Sequence, residues 1–150
     1  MRFLRRLLSH FEGFTRRSRV RFDQVPERGE VLSRFIFSKS HFNLNPRQNR
    51  VKSDAFLPSR DSLETSVFRT VELDRAEIRR IGDMVGEPSG RTLRAWGDVL
   101  ADVVFDVGLD VRPDNIPERH AAIIGWPEQK DEQISLAQRL AEAATLHLPS

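Results

Sequence analysis

Phe3, Leu4, Leu7, Leu8, Phe11 and Phe14 recur at helical spacing and fall within about 140° of arc on a helical wheel. Arg2, Arg5, Arg6, Ser9 and Glu12 fill the opposite side. This pattern predicts a basic amphipathic helix. Residues 16–29 are polar and charged, and Pro26 and Gly29 mark a turn. We therefore divide the chain into a basic amphipathic helix with a charged linker, residues 1–29, and an α+β domain, residues 30–150.

From Glu30 the pattern shortens. Val31–Ser38 is β-branched and aromatic, too short for a helix, and reads as a strand. Asn43–Asn49 is turn chemistry. Arg50–Leu57 alternates, with Val51, Ser53, Ala55 and Leu57 on one face, and Pro58 ends it. Thr65–Val71 is a third strand, so short connections predict an antiparallel meander. A helix follows, capped by Asp74 with Glu77 three residues on. Leu73 and Ile78 form a hydrophobic staple, Ile78, Ile81 and Val85 share a face, and Gly86 is the stop.

Leu93, Trp96, Leu100, Val103, Val104 and Val107 keep helical spacing, which predicts a helix over Thr92–Val107, although Val103–Phe105 has strand propensity. Leu109–Val111 reads as a short strand, Arg112–Arg119 as a loop with two prolines, and His120–Trp126 as a buried strand ended by Pro127. The last amphipathic helix is predicted over Lys130–His147, with His147 near its free carbonyls. The expectation is a single α+β domain: a mostly antiparallel sheet of about five strands, helices packed on one face, and the N-terminal helix.

Composition changes this picture little. The 150 residues contain no cysteine, which removes disulfides and thiolate metal sites and fits a reducing cytoplasm. No apolar run approaches the ~18–20 residues of a membrane-spanning helix. The basic N-terminus has no secretory apolar core, because arginines interrupt its apolar residues.

Charge matters more. Residues 1–60 hold 14 Lys+Arg against 5 Asp+Glu, whereas residues 61–150 hold 10 against 17. The plain reading is that the halves attract each other in the fold. The sharper one is that the basic half meets an anionic partner. The helix over residues 1–17 docks on the domain, or lies on an anionic membrane surface or a protein partner. It also resembles an organellar presequence. Asp98, Asp102 and Asp106 recur every four residues, as a solvated face or one that pairs with the basic half.

No loud catalytic motif is present, and four scattered histidines predict no metal site and no cofactor. Residues 38–69 interleave Lys39, His41, Arg47, Arg50, Lys52 and Arg69 with aromatic residues such as Phe42. Cations neutralise phosphates and exposed rings stack on unpaired bases, so this mixture suits single-stranded nucleic acid. Metal-independent RNA cleavage needs a general base and acid, roles open to His41 and His120 if their strands are neighbours. No catalytic set is specified, however. The first expectation is therefore a non-enzymatic interaction module that binds an anionic or protein partner through its basic half. The nucleic-acid-binding or RNA-cleaving protein is the alternative.

Overall fold

Neighbouring residues on the central strands are both apolar: Phe35 beside Ile36, Val67 beside Phe68, Trp96 beside Ala95. All six are at least nine-tenths buried. A strand apolar on both faces must be covered on both, and the fold follows from that requirement. The computed structural model describes residues 20–45 and 48–150. The predicted helix over residues 1–14, the partner contacts assigned to residues 1–17, and Arg47 lie outside the described residues.

The strands are β1 (Val31–Ile36), β2 (Phe42–Asn43), β3 (Arg50–Val51), β4 (Thr65–Arg69), β5 (Ala95–Leu100), β6 (Asp110–Arg112), β7 (His120–Ile124) and β8 (Thr145–His147). Six of them form one antiparallel sheet in the order β6-β7-β4-β1-β5-β8, and β2 and β3 pair separately. Three helices, α1 (Arg75–Gly86), α2 (Ala101–Asp106) and α3 (Lys130–Ala143), cover the sheet. The predicted α+β class holds, with six strands in the main sheet.

The helices do not share a face. On one side Leu32, Val67, Val99 and Ile123 pack with Ala101 and Val104 of α2, Ala137 and Leu140 of α3, and Phe56. On the other, Phe35, Phe68 and Trp96 pack with Ile78 and Ile81 of α1 and with Leu93. The expectation of helices on one face is thus corrected by the apolarity of both strand faces.

Local signals around α1 translate directly. The Asp74 side chain accepts from the Glu77 amide at 2.9 Å, and Leu73 packs in the cluster that holds Ile78. Gly86 is the last helical residue rather than the stop beyond it; a short 3-10 turn, Glu87–Ser89, follows, and Gly90 takes the left-handed conformation at φ 67°.

Three predicted elements differ. Residues 92–107 are not one helix: 95–100 form β5, paired with β1 from Val31↔Leu100 to Ile36↔Ala95, and only 101–106 are helical. Residues 50–57 contain two strand residues and then a 3-10 turn, Ser53–Ala55. The final helix stops at Ala143, and Thr145–His147 leave it to pair with β5. His147 therefore does not cap a helix. Its Nε2 meets Asp98 Oδ2 at 3.1 Å and its ring stacks on Trp96.

Within the described residues, Phe22 and Gln24, ahead of Glu30, pack against the sheet. Arg69, 2% exposed, donates from Nε to Glu30 Oε1 at 2.6 Å, from NH2 to Glu30 Oε2 at 2.9 Å and from NH1 to the Gln24 carbonyl at 2.7 Å. Arg119, equally buried, donates to the Arg69 carbonyl. The Phe22 ring lies 5.4 Å from the Arg69 guanidinium and 4.8 Å from that of Arg119. Of the acidic series, Asp102 and Asp106 on α2 both pair with Arg28, at 2.5 and 2.6 Å. Those two pair with the chain's own basic half.

Candidate functional site

Strands β1 and β4 pair only at Leu32↔Arg69 and Ser33↔Phe68. Beyond that point Arg34 reaches across the opening: Nε donates to the Ala55 carbonyl at 2.7 Å and NH1 to the Ser66 carbonyl at 2.9 Å. A guanidinium has five N–H donors, so three remain. The opening continues into a cleft of about 340 Å3 lined by Arg34, Phe35, Phe37, Ser66, Phe68, Val85, Arg91, Ile116, Pro117 and His120. Its walls are apolar, and its polar groups come from four distant stretches of chain.

Arg91 is placed by the turn after α1. Its amide donates to the Gly86 carbonyl at 3.0 Å, and a Cβ at position 86 would collide with the Arg91 backbone carbonyl. The guanidinium lies 4.3 Å above the Phe37 ring and donates from Nε to Ser89 Oγ at 2.8 Å. Neither Arg34 nor Arg91 has a carboxylate partner among the described residues. Burial, and secondarily the charge of Arg91, push the Arg34 guanidinium down to about 10. The two cations therefore share one poorly neutralised field.

His120 stands at the start of β7, opposite Phe68 on β4, with the rings edge-on at 5.3 Å. Its Nδ1 lies 2.7 Å from Asp114 Oδ1. With Asp114 ionised the carboxylate only accepts, so Nδ1 is the donor of this pair and Nε2 makes no hydrogen bond among the described residues. Asp114 is itself held: Oδ1 accepts from the Ile116 amide at 3.2 Å and Oδ2 lies 3.8 Å from Arg112 NH2. The loop returns to β7 through Asn115 and Arg119, both with positive φ (54° and 74°), and Asn115 Oδ1 accepts from the Arg119 amide.

The other residues singled out by sequence are dispersed. His41 ends a 3-10 turn, Lys39–His41, and its carbonyl accepts from the Lys52 amide at 2.9 Å. Burial lowers its pKa, opposed by Asp54 and reinforced by Arg34 and Lys52. His41 does not line the cleft that holds His120. Arg50 and Lys52 do come together, in a polar hollow of about 710 Å3 shared with Gln138 and Glu142 of α3. Lys39 is exposed.

Arg69 is committed to Glu30. Phe42 and Phe56 are buried in the core and offer no stacking platform, whereas Phe68 lines the cleft. Sequence reasoning missed Arg34 and Arg91. A lone arginine inside the apolar run of β1 was the available signal for the first.

Among the described residues no three His, Asp or Glu side chains are grouped to hold a metal ion, and no helix is long and apolar enough to cross a membrane. No protein family matches the chain, and neither a curated protein nor a solved structure is similar to it.

Proposed function

We propose that the chain binds an anionic group carried on an apolar or aromatic body, in the cleft between β1, β4 and the loop before β7. The observation that carries this reading is the pair Arg34 and Arg91, lining one apolar concavity with no carboxylate partner among the described residues. Guanidinium forks match the oxygens of phosphate and carboxylate, and low-dielectric walls strengthen the attraction. The volume of about 340 Å3 suits a small ligand or a single side chain or nucleotide of a larger partner.

Calorimetric titration with inorganic phosphate and with phenyl phosphate tests the reading. Phenyl phosphate should bind more tightly, because the walls cover its ring. Arg91→Ala should weaken both by about tenfold or more, the loss of one charge-assisted contact. Equal binding by the variant would rule this cleft out.

A second reading is single-stranded nucleic acid bound across Lys39, Arg50 and Lys52, supported by the hollow that Arg50 and Lys52 share. With Phe42 buried, such binding would rest on charge alone. Lys52→Ala would then reduce the slope of log affinity against log salt by about 0.7 for one lost phosphate contact on a single strand. An unchanged slope removes Lys52 from the interface.

A further inference from the structure

We propose that the same cleft accepts a phosphoryl group onto Nε2 of His120, from an activated phosphate such as an aryl ester or a phosphoric anhydride. This rests on the anion-binding reading above. It adds a covalent step.

Three observations carry it. His120 lines the cleft with Arg34 and Arg91, so its ring borders the space where those guanidiniums would hold an anion. Its Nδ1–H is fixed on Asp114 at 2.7 Å, while Nε2 has no hydrogen-bond partner among the described residues. A neutral imidazole with its lone pair on Nε2 is a competent nucleophile, and the Asp114 carboxylate stabilises the cationic ring that attack creates. Finally, Ser66 also lines the cleft but makes no hydrogen bond to His120, so no base activates its hydroxyl. The imidazole is left as the nucleophile.

Phosphate is favoured over a carboxylic ester because two guanidiniums serve a group with several anionic oxygens. A carboxylic ester is neutral and develops one oxyanion. In the step, the Nε2 lone pair forms the N–P bond while the P–O bond breaks and the leaving oxygen departs with its electron pair. Water then attacks phosphorus, the N–P pair returns to Nε2, and a proton passes to solvent. Apart from the nucleophile His120, no cleft-lining residue is a general acid near neutral pH. A donor with a stable leaving anion is therefore required.

The test uses the full chain with p-nitrophenyl phosphate. The expected result is a burst of one nitrophenolate per chain, with a mass increase of one phosphoryl group that is lost in acid and stable in base. His120→Asn should abolish the adduct but still bind inorganic phosphate, and His41→Asn should form it normally. Asp114→Asn should slow its formation by at least about tenfold with phosphate affinity retained. A wild-type chain that binds phosphate without forming the adduct overturns the proposal and leaves the binding reading intact. Failure to bind phosphate ends both. An adduct on His120→Asn, or an unchanged rate in Asp114→Asn, overturns the assignment of the nucleophile and its orienting partner.

Discussion

Two pairs of arginines lie against the central strands, and their surroundings are opposite. Arg69 and Arg119 are buried to within 2% of exposure. Glu30 meets Arg69 bidentately, Glu72 lies 3.8 Å from Arg119, and Phe22 covers both. Arg34 and Arg91 also lie on apolar surface and beside a phenylalanine, yet carbonyl and hydroxyl oxygens are their partners. Burying a guanidinium costs several kcal/mol unless a carboxylate and further acceptors compensate. Arg69 meets that condition within the chain, Arg119 packs beside it and donates to its carbonyl, and this pair is architecture. The second meets it only in part, and its remaining donors are the ones the proposed anion site would use.

The comparison is tested most severely at Glu30. Glu30→Gln leaves the Arg69 charge buried without its counter-ion, and urea unfolding should show a loss of about 3–5 kcal/mol. A loss below 1 kcal/mol would mean that Arg69 finds other compensation, and the contrast would weaken. Phe22→Ala removes the ring over both guanidiniums and should cost about 2 kcal/mol. It follows that a chain cut at Glu30 would be less stable than one cut at Val20, because Phe22 and the Gln24 carbonyl go with the missing segment.

At the open pair the expected sizes reverse. Arg91→Ala should change stability by less than about 1 kcal/mol, since only an exposed hydrogen bond to Ser89 and the contact over Phe37 are lost. The same variant should lose phosphate affinity by the larger factor given above. A variant that unfolds readily would place Arg91 with the architectural pair.

The smallest effect concerns His41, which lies within the field of Arg34. Its folded pKa is below the ordinary 6.5, so the unfolded chain takes up the proton first. Its contribution to stability is therefore present above about 6.5 and declines as pH falls below it. His41→Gln should flatten that part of the stability profile measured by thermal unfolding. An identical profile would show that His41 is not buried enough to matter.

How much of this was legible in the sequence depended on whether an element announced itself locally. Helix α1 did, through Asp74, Glu77, Leu73 and Ile78, because capping chemistry acts within one turn. Strand β5 did not: Ala95, Gly97 and Val99 face one layer and Trp96 and Asp98 the other, so a strand covered on both sides shows no alternation, and the spacing of Leu93, Trp96 and Leu100 imitated a helix. Strand β8 was hidden in the tail of α3, since three residues carry no period of their own. The cleft was least legible. Arg34, Ser66, Arg91 and His120 meet through pairings of β1 with β4 and β4 with β7, and no short window contains two of them. Only the pairing of Asp114 with His120, six residues apart, was within local reach.

The strand order has a kinetic consequence. In the sheet β6-β7-β4-β1-β5-β8, β6 and β7 are neighbours along the chain, but Val31 pairs with Leu100 and Thr65 with Ile123. The chain must close long loops before the central strands gain anything from one another, and loop-closure entropy then stands in the folding barrier. Folding should proceed in milliseconds to seconds, the regime of non-local sheets, rather than in the microseconds open to helical bundles. Until β1 is seated between β4 and β5, the unpaired edges of both are available to other chains. Refolding yield should therefore fall as protein concentration rises.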